Sequence, residues 1–130
     1  MRSVSIDELK ESIAKKKPDE KLEFREVEIH HADLTGWNLS GIDFTLSSFH
    51  GSILNGVNFC NSSVENALFD GCPLHGADFR NANMKTASFR YCDLEEANIC
   101  GANLFGAVLE YARLDRILSD DRTQWFRMHC

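Results

Sequence analysis

The chain has 130 residues, 26% charged and 43% apolar, with a formal charge of −6, which suits one globular domain and excludes a disordered or collagen-like composition. The acidic balance argues against direct binding of nucleic acid, and no run of about 18 apolar residues is available for a membrane span. Met1 to Glu8 lacks the apolar stretch of a secretory signal, and the five cysteines match no zinc spacing, so reduced thiols in the cytoplasm are expected.

The first predicted element is a helix over residues 5–16. Ser5-Ile6-Asp7-Glu8 forms a capping box. Ile6, Leu9 and Ile13 make an apolar stripe, lysines occupy the last turn where the helix dipole favours them, and Pro18 follows.

From Phe24 to Leu114 every fifth residue is apolar, 19 positions without a break, and Ser119 ends the run. Two residues before each stands a mostly small residue, continuous from Ala67 through Cys72, Ala77, Ala82, Ala87, Cys92, Ala97, Ala102 and Ala107 to Ala112. An α-helix would rotate each unit by about 140°, scattering the large residues over every face. A straight strand would send alternate ones to opposite sides. A chain that turns a corner once per unit resolves the conflict, because residues two apart on a short extended piece point the same way.

Residues twenty apart match best. Leu34, Leu54, Leu74, Leu94 and Leu114 form one column, and Phe49, Phe69 and Phe89 another. At a spacing of fifteen no such matching occurs, so four sides are favoured over three. The second corner position is often Gly or Asn, as at Gly36, Gly41, Gly51, Asn61 and Asn66, which supplies the positive φ of a type II turn. Asp or Asn commonly stands between the two apolar series and is expected to point outward or to bond corner amides.

Units such as Ala32-Asp33-Leu34-Thr35-Gly36, Ala77-Asp78-Phe79-Arg80-Asn81 and Ala102-Asn103-Leu104-Phe105-Gly106 resemble the pentapeptide-repeat signature A-(D/N)-L-x-x. The resemblance spans residues 22–116. It implies an all-β fold, a right-handed quadrilateral β-helix common in bacteria. The repeat length makes about 4.75 coils, roughly 23 Å tall at the inter-strand spacing of about 4.8 Å. Trp37 and Ile42 depart from the small position, and Leu68 and Pro73 from the Asp/Asn position.

Residues 1–21 are read as an α-helical cap and connector, lying over the first coil against Leu22, Val27 and Trp37. Residues 22–116 are the β-helix. Residues 117–130, with Ile117, Leu118, Trp125 and Phe126, read either as a cap for the other end or as a dimerisation tail. Gyrase-protecting members of the family that the chain resembles dimerise through the C-terminal coil, which keeps the second reading open beside the first.

No nucleophile motif, phosphate loop or paired-cysteine motif is present, and a solid core leaves no substrate cavity. Catalytic, cofactor and metal residues are therefore assigned to none, and the protein is not expected to be an enzyme. His30, His50 and Asp70 share an outward column, with His31 nearby. The flat ladder offers no closed coordination shell, so they are read as a solvated face. Cys72 and Cys92 are expected as core fillers, while Cys60 and Cys100 are too far apart to bridge.

The expected function is a protein-interaction or scaffold module without cofactors. The partner is an unidentified protein or a second copy meeting at the C-terminal end, with neither nucleic acid nor membrane bound directly. Candidate surface residues are the outward apolar positions Leu46, Ile53 and Leu68, the C-terminal group Tyr91, Phe105, Val108 and Tyr111, and Trp125 and Phe126 in the tail. The alternative is a DNA mimic that binds gyrase or topoisomerase, as the resemblance to quinolone-resistance members implies. The repeat region carries thirteen acidic and six basic residues, about half the charge density of B-DNA of equal height.

Overall fold

The computed structural model describes residues 1–125. From residue 26 to residue 116 every fifth residue has positive φ, between 55° and 76°. Each such residue ends a short extended piece and turns the chain through a corner. In most units the amide after the corner closes the turn on the preceding large residue, as Trp37 N–H donates to the Leu34 carbonyl at 3.0 Å. The Asp or Asn ahead of that large residue braces the same corner. Asp33, Asn58, Asp78 and Asn98 each accept the amide two residues on, at 2.8–3.1 Å, an Asx turn repeated along the chain.

Parallel bridges join residues twenty apart, from Glu23–Asp43 and Asp33–Ile53 through to Asn98–Leu118. Corners thus recur every five residues, and bridged residues stand twenty apart. The ladder bonds are short: Phe79 N–H donates to the Asn98 carbonyl at 2.8 Å, and Asn98 N–H to the Ala77 carbonyl at 2.9 Å. The bridge series skips the Ile53–Pro73 pair. Proline has no N–H to give, and that rung is held by Leu54 N–H on the Pro73 carbonyl at 2.9 Å.

The large and small inward residues make one continuous core. Phe49, Phe69 and Phe89 stack with ring centres 4.9 Å apart at each step. Phe59 and Phe79 stack beside them at 5.1 Å, with edge-on contacts between the columns. Ser47 and Ser52 are fully buried at small positions. Each hydroxyl donates to a corner carbonyl of the preceding coil, Phe24 at 2.5 Å and Ile29 at 2.8 Å, and accepts the Val27 or Ala32 amide. These bonds make a buried hydroxyl tolerable in an apolar interior. Of the departures from the small position, Ile42 is buried and Trp37 is half-buried against the core.

Two segments extend the ladder beyond what the repeat pattern announces. Strand β1 (Arg2–Ser3) pairs in parallel with β2 (Val27–Glu28), and Val4 N–H donates to the Glu28 carbonyl at 2.8 Å. Helix α1 (Ile6–Lys15) follows, its Ser5 cap accepting from the Glu8 amide. Leu9 of α1 is wholly buried in the main core, and Ile6 and Ile13 pack on it. Ile13 and Lys10 also border a shallow hollow of about 300 Å³ with Trp37 and Asn38.

At the other end Gln124 pairs with Asn103, one residue out of the twenty-residue register. The extra residue is absorbed around Asp120, whose carboxylate accepts the Gly101, Arg122 and Thr123 amides at 2.9–3.1 Å. Thr123 is buried and donates its hydroxyl to the Ile99 carbonyl at 2.9 Å. Among the described residues no helix is long and apolar enough to cross a membrane.

Candidate interaction surface

Because neighbouring coils are in register, side chains on the outside form columns. One face carries Glu28, Ser48, Leu68, Ser88 and Val108 in bridged succession. Its two edges are the corners that precede and follow those residues. Phe105, Val108 and Tyr111 therefore follow one another along a single rung: corner, face, corner. Tyr91 lies one coil away on Tyr111, the rings 5.0 Å apart and 12° from parallel. Leu68 stands two coils from Val108, and Leu46 sits at the edge shared with Phe105. Tyr91 and Tyr111 are 64% and 70% exposed, Leu68 46%.

The structure thus gathers six of the candidate residues on one face and its edges. Ile53 is exposed but lies on the next face, in the column of Asp33. Trp125 packs partly against the core. Phe126 falls outside the described residues. Leu46, Tyr91 and Tyr111 also hold positive φ, a conformation that costs a non-glycine residue about 1–2 kcal/mol, so the backbone at these corners is set by the coil and not by local preference.

The charged exterior is extensively paired. Arg90 meets Glu110 at 3.2 Å on the apolar face's edge. Arg80 clasps Asp78 at 2.7 Å and Arg122 holds Asp120 at 3.0 Å. Partial burial pushes the Asp78 carboxyl up, but the Arg80 side chain and amide outweigh it and leave it below the usual aspartate value. The Thr35 hydroxyl, followed by its amide, lowers Asp33 likewise.

One cluster escaped the sequence reading. Ligand atoms of His75, Glu95 and Glu96 lie within 4.8 Å of one another. His75 meets Glu96 at 3.2 Å, while Arg113 binds Glu95 at 2.8 Å and Arg116 binds Glu95 and Glu96. His75 and Glu95 stand twenty apart, one coil from each other, so the twenty-residue period in the sequence was the signal that could have revealed the grouping. Cys72 and Cys92 lie in the core, and burial pushes the Cys72 thiol up to about 11 and raises that of Cys92 as well.

Five-residue units, parallel rungs and a filled apolar interior define a β-helical repeat protein. A family model described as pentapeptide repeat region matches residues 22–99 and 42–117, and the chain belongs to that family. Among solved structures it is similar to a pentapeptide repeat protein of the Arabidopsis thaliana thylakoid lumen, at 30% identity and a TM-score of 0.65 over 67% of this chain. The chain spans 61% of that relative's length. A pentapeptide repeat protein from Nostoc PCC 7120 is 18% identical with a TM-score of 0.54, covering 95% of this chain and 96% of its own. QnrB1, a plasmid-mediated fluoroquinolone resistance protein, is 20% identical with a TM-score of 0.51, over 84% of this chain and 67% of that one. The last two likenesses concern the fold alone. Among curated proteins no match was found.

Proposed function

We propose that this protein is a non-enzymatic interaction module whose apolar face around Val108 docks a protein partner. The observation that carries the reading is the alignment of Phe105, Val108 and Tyr111 on one rung, with Tyr91 stacked on Tyr111. Large exposed aromatic and aliphatic groups gathered on one rigid wall suit a docking surface, where aromatic anchors dominate binding. A filled core supports a non-catalytic role, because a substrate needs a concave site.

The coil is read as right-handed and four-sided, about 4.75 turns over residues 22–116, with residues 1–21 capping its first coil through α1. The twenty-residue bridges and the burial of Leu9 support this. The free thiols of Cys60, Cys72, Cys92 and Cys100 suit the cytoplasm. A second copy of the chain, meeting at the C-terminal end, is the first partner to test. Sedimentation of the purified chain and of a Tyr91→Ser/Tyr111→Ser variant reads self-association directly. Affinity capture from the source cell reads other partners. Loss of the complex in the variant supports the surface, and an unchanged complex rejects it.

The alternative is a DNA mimic that acts on gyrase, and its support is the acidic excess of the repeat region. The arginine pairs at Asp78, Glu95 and Glu110 reduce the field that such mimicry needs. A supercoiling assay with neither inhibition nor protection removes it.

A further inference from the structure

His30, His31 and His50 converge at one corner of the coil. His30 and His50 hold equivalent places in neighbouring coils, and His31 is the corner residue itself, with φ of 55°. The ring centres of His50 lie 5.6 Å from those of both His30 and His31, and His30 lies 6.2 Å from His31. Three imidazoles on one tetrahedral ion, bound at about 2.0–2.1 Å, have ring centres about 5 Å apart. Their ring nitrogens do not lie within 4.8 Å of one another, as the ligand atoms of the His75 group do, so to meet one ion the rings must close by roughly 1 Å and also turn their nitrogens inward. The rings meet edge-on, at 73–77°, so they are not stacked in a way that would keep their nitrogens apart.

Two further features fit a built site. The first is Gly51, which follows His50. A Cβ there would lie 2.4 Å from Nδ1 of His31 and 2.6 Å from its Cε1, so the His31 ring occupies the space that any side chain at position 51 would need. The second is Glu28. Its carboxylate lies 3.5 Å from Nδ1 of His30, whose Nε2 is 3.0 Å from the Ser48 hydroxyl. A carboxylate on one ring nitrogen, leaving the other for a metal, is the usual arrangement around ligating histidines, and here the Ser48 hydroxyl holds that second nitrogen until an ion displaces it. The backbone beneath is fixed, with Ile29 N–H on the Ser48 carbonyl at 2.8 Å and His31 N–H on the His50 carbonyl at 3.0 Å.

We infer that His30, His31 and His50 form a binding site for a divalent transition metal of the zinc class. His30 exchanges its Ser48 contact for the ion, Glu28 retains its Nδ1, and the fourth position is left to water. Imidazole donors suit zinc, copper and nickel over magnesium or calcium. On the sequence alone the column of His30, His50 and Asp70, with His31 nearby, reads as a solvated face, because a flat ladder offers no closed coordination shell. His31 stands at the corner, where the chain turns out of that column, and so approaches both other rings from the side. The ligand atoms of the His75 cluster stand closer together, within 4.8 Å, but Arg113 and Arg116 already hold its carboxylates.

The test is a titration of the reduced, full chain with cobalt chloride and then zinc chloride, followed by visible spectroscopy and calorimetry. One cobalt ion per chain is expected, with tetrahedral d–d bands, no thiolate-to-cobalt charge-transfer band, and displacement by zinc. His31→Ala and His50→Ala each should weaken binding by about 100-fold, and Gly51→Ala, which is not a ligand change, by about 10-fold. His75→Ala should leave the affinity unchanged. The three histidines are exposed, so each histidine variant is expected to keep the metal-free melting behaviour within a few degrees, about what a surface change costs. Absence of saturable binding, a thiolate band, or binding that survives the double His31→Ala/His50→Ala change overturns the inference.

Discussion

Phe89 lies face to face on Phe69, with ring centres 4.9 Å apart and planes 4° from parallel, although twenty residues separate them in the chain. That distance is the inter-strand spacing of about 4.8 Å. The backbone ladder and the aromatic column therefore share one repeat distance, so each rung bonded outside is also a layer packed inside.

Phe69 is flanked by Phe49 and Phe89 and meets Phe59 and Phe79 edge-on. Phe69→Ala should lower the unfolding free energy by about 3–5 kcal/mol, the usual result of emptying a packed aromatic site. Urea unfolding followed by circular dichroism measures it, and a loss under about 1 kcal/mol would mean the site is loosely packed.

Gly51 and Gly56 both have positive φ, but only Gly51 faces a neighbour, the His31 ring. Gly56→Ala should therefore cost about 1–2 kcal/mol, the conformational penalty alone. Gly51→Ala should cost more, and adding His31→Ala should bring it back to the Gly56→Ala value. The comparison is a double-mutant cycle in urea.

The fully buried Leu9 ties α1 to the core. Leu9→Ala should destabilise the chain by about 2–5 kcal/mol, and Ser5→Ala by about 1 kcal/mol through the lost helix cap. A freely hanging helix would show almost no change in the Leu9→Ala melting curve.

Cys72 and Cys92 donate their thiols to the Phe49 and Phe69 carbonyls, and burial raises both pKa values, Cys72 to about 11. A folded pKa above the ordinary thiol value of 9.0 favours the folded state fully below pH 9.0. That contribution is lost as pH rises toward 11. Stability should fall over that window, and less steeply in Cys72→Ala. Iodoacetamide under native conditions should leave both residues unmodified, as mass spectrometry of digests would show.

Much of this was legible in the sequence because two periods coincide. The five-residue period marks the inward residues, and the leucine column from Leu34 to Leu114 marks the length of a coil. The corner Asn and Asp residues were equally readable, since their side chains act locally. What stayed hidden depends on tertiary context. β1 is two residues long and has no alternation to read. The Asn103–Gln124 rung is shifted by the residue absorbed at Asp120, after the apolar period has stopped. Positive φ at Thr86 and Tyr91 contradicts local preference, so only the coil's closure explains it. Leu68, Ser88 and Val108 stand twenty apart, so their shared column was readable from the same period that aligns His30 with His50.

The most direct test of the coil is detection of couplings across backbone hydrogen bonds by nuclear magnetic resonance in a labelled sample. The amide of Phe69 should couple to the carbonyl of Ser88, that of Leu74 to Asp93 and that of Phe79 to Asn98. Couplings at any other constant offset, or amides of these residues bonded within their own unit, would contradict it.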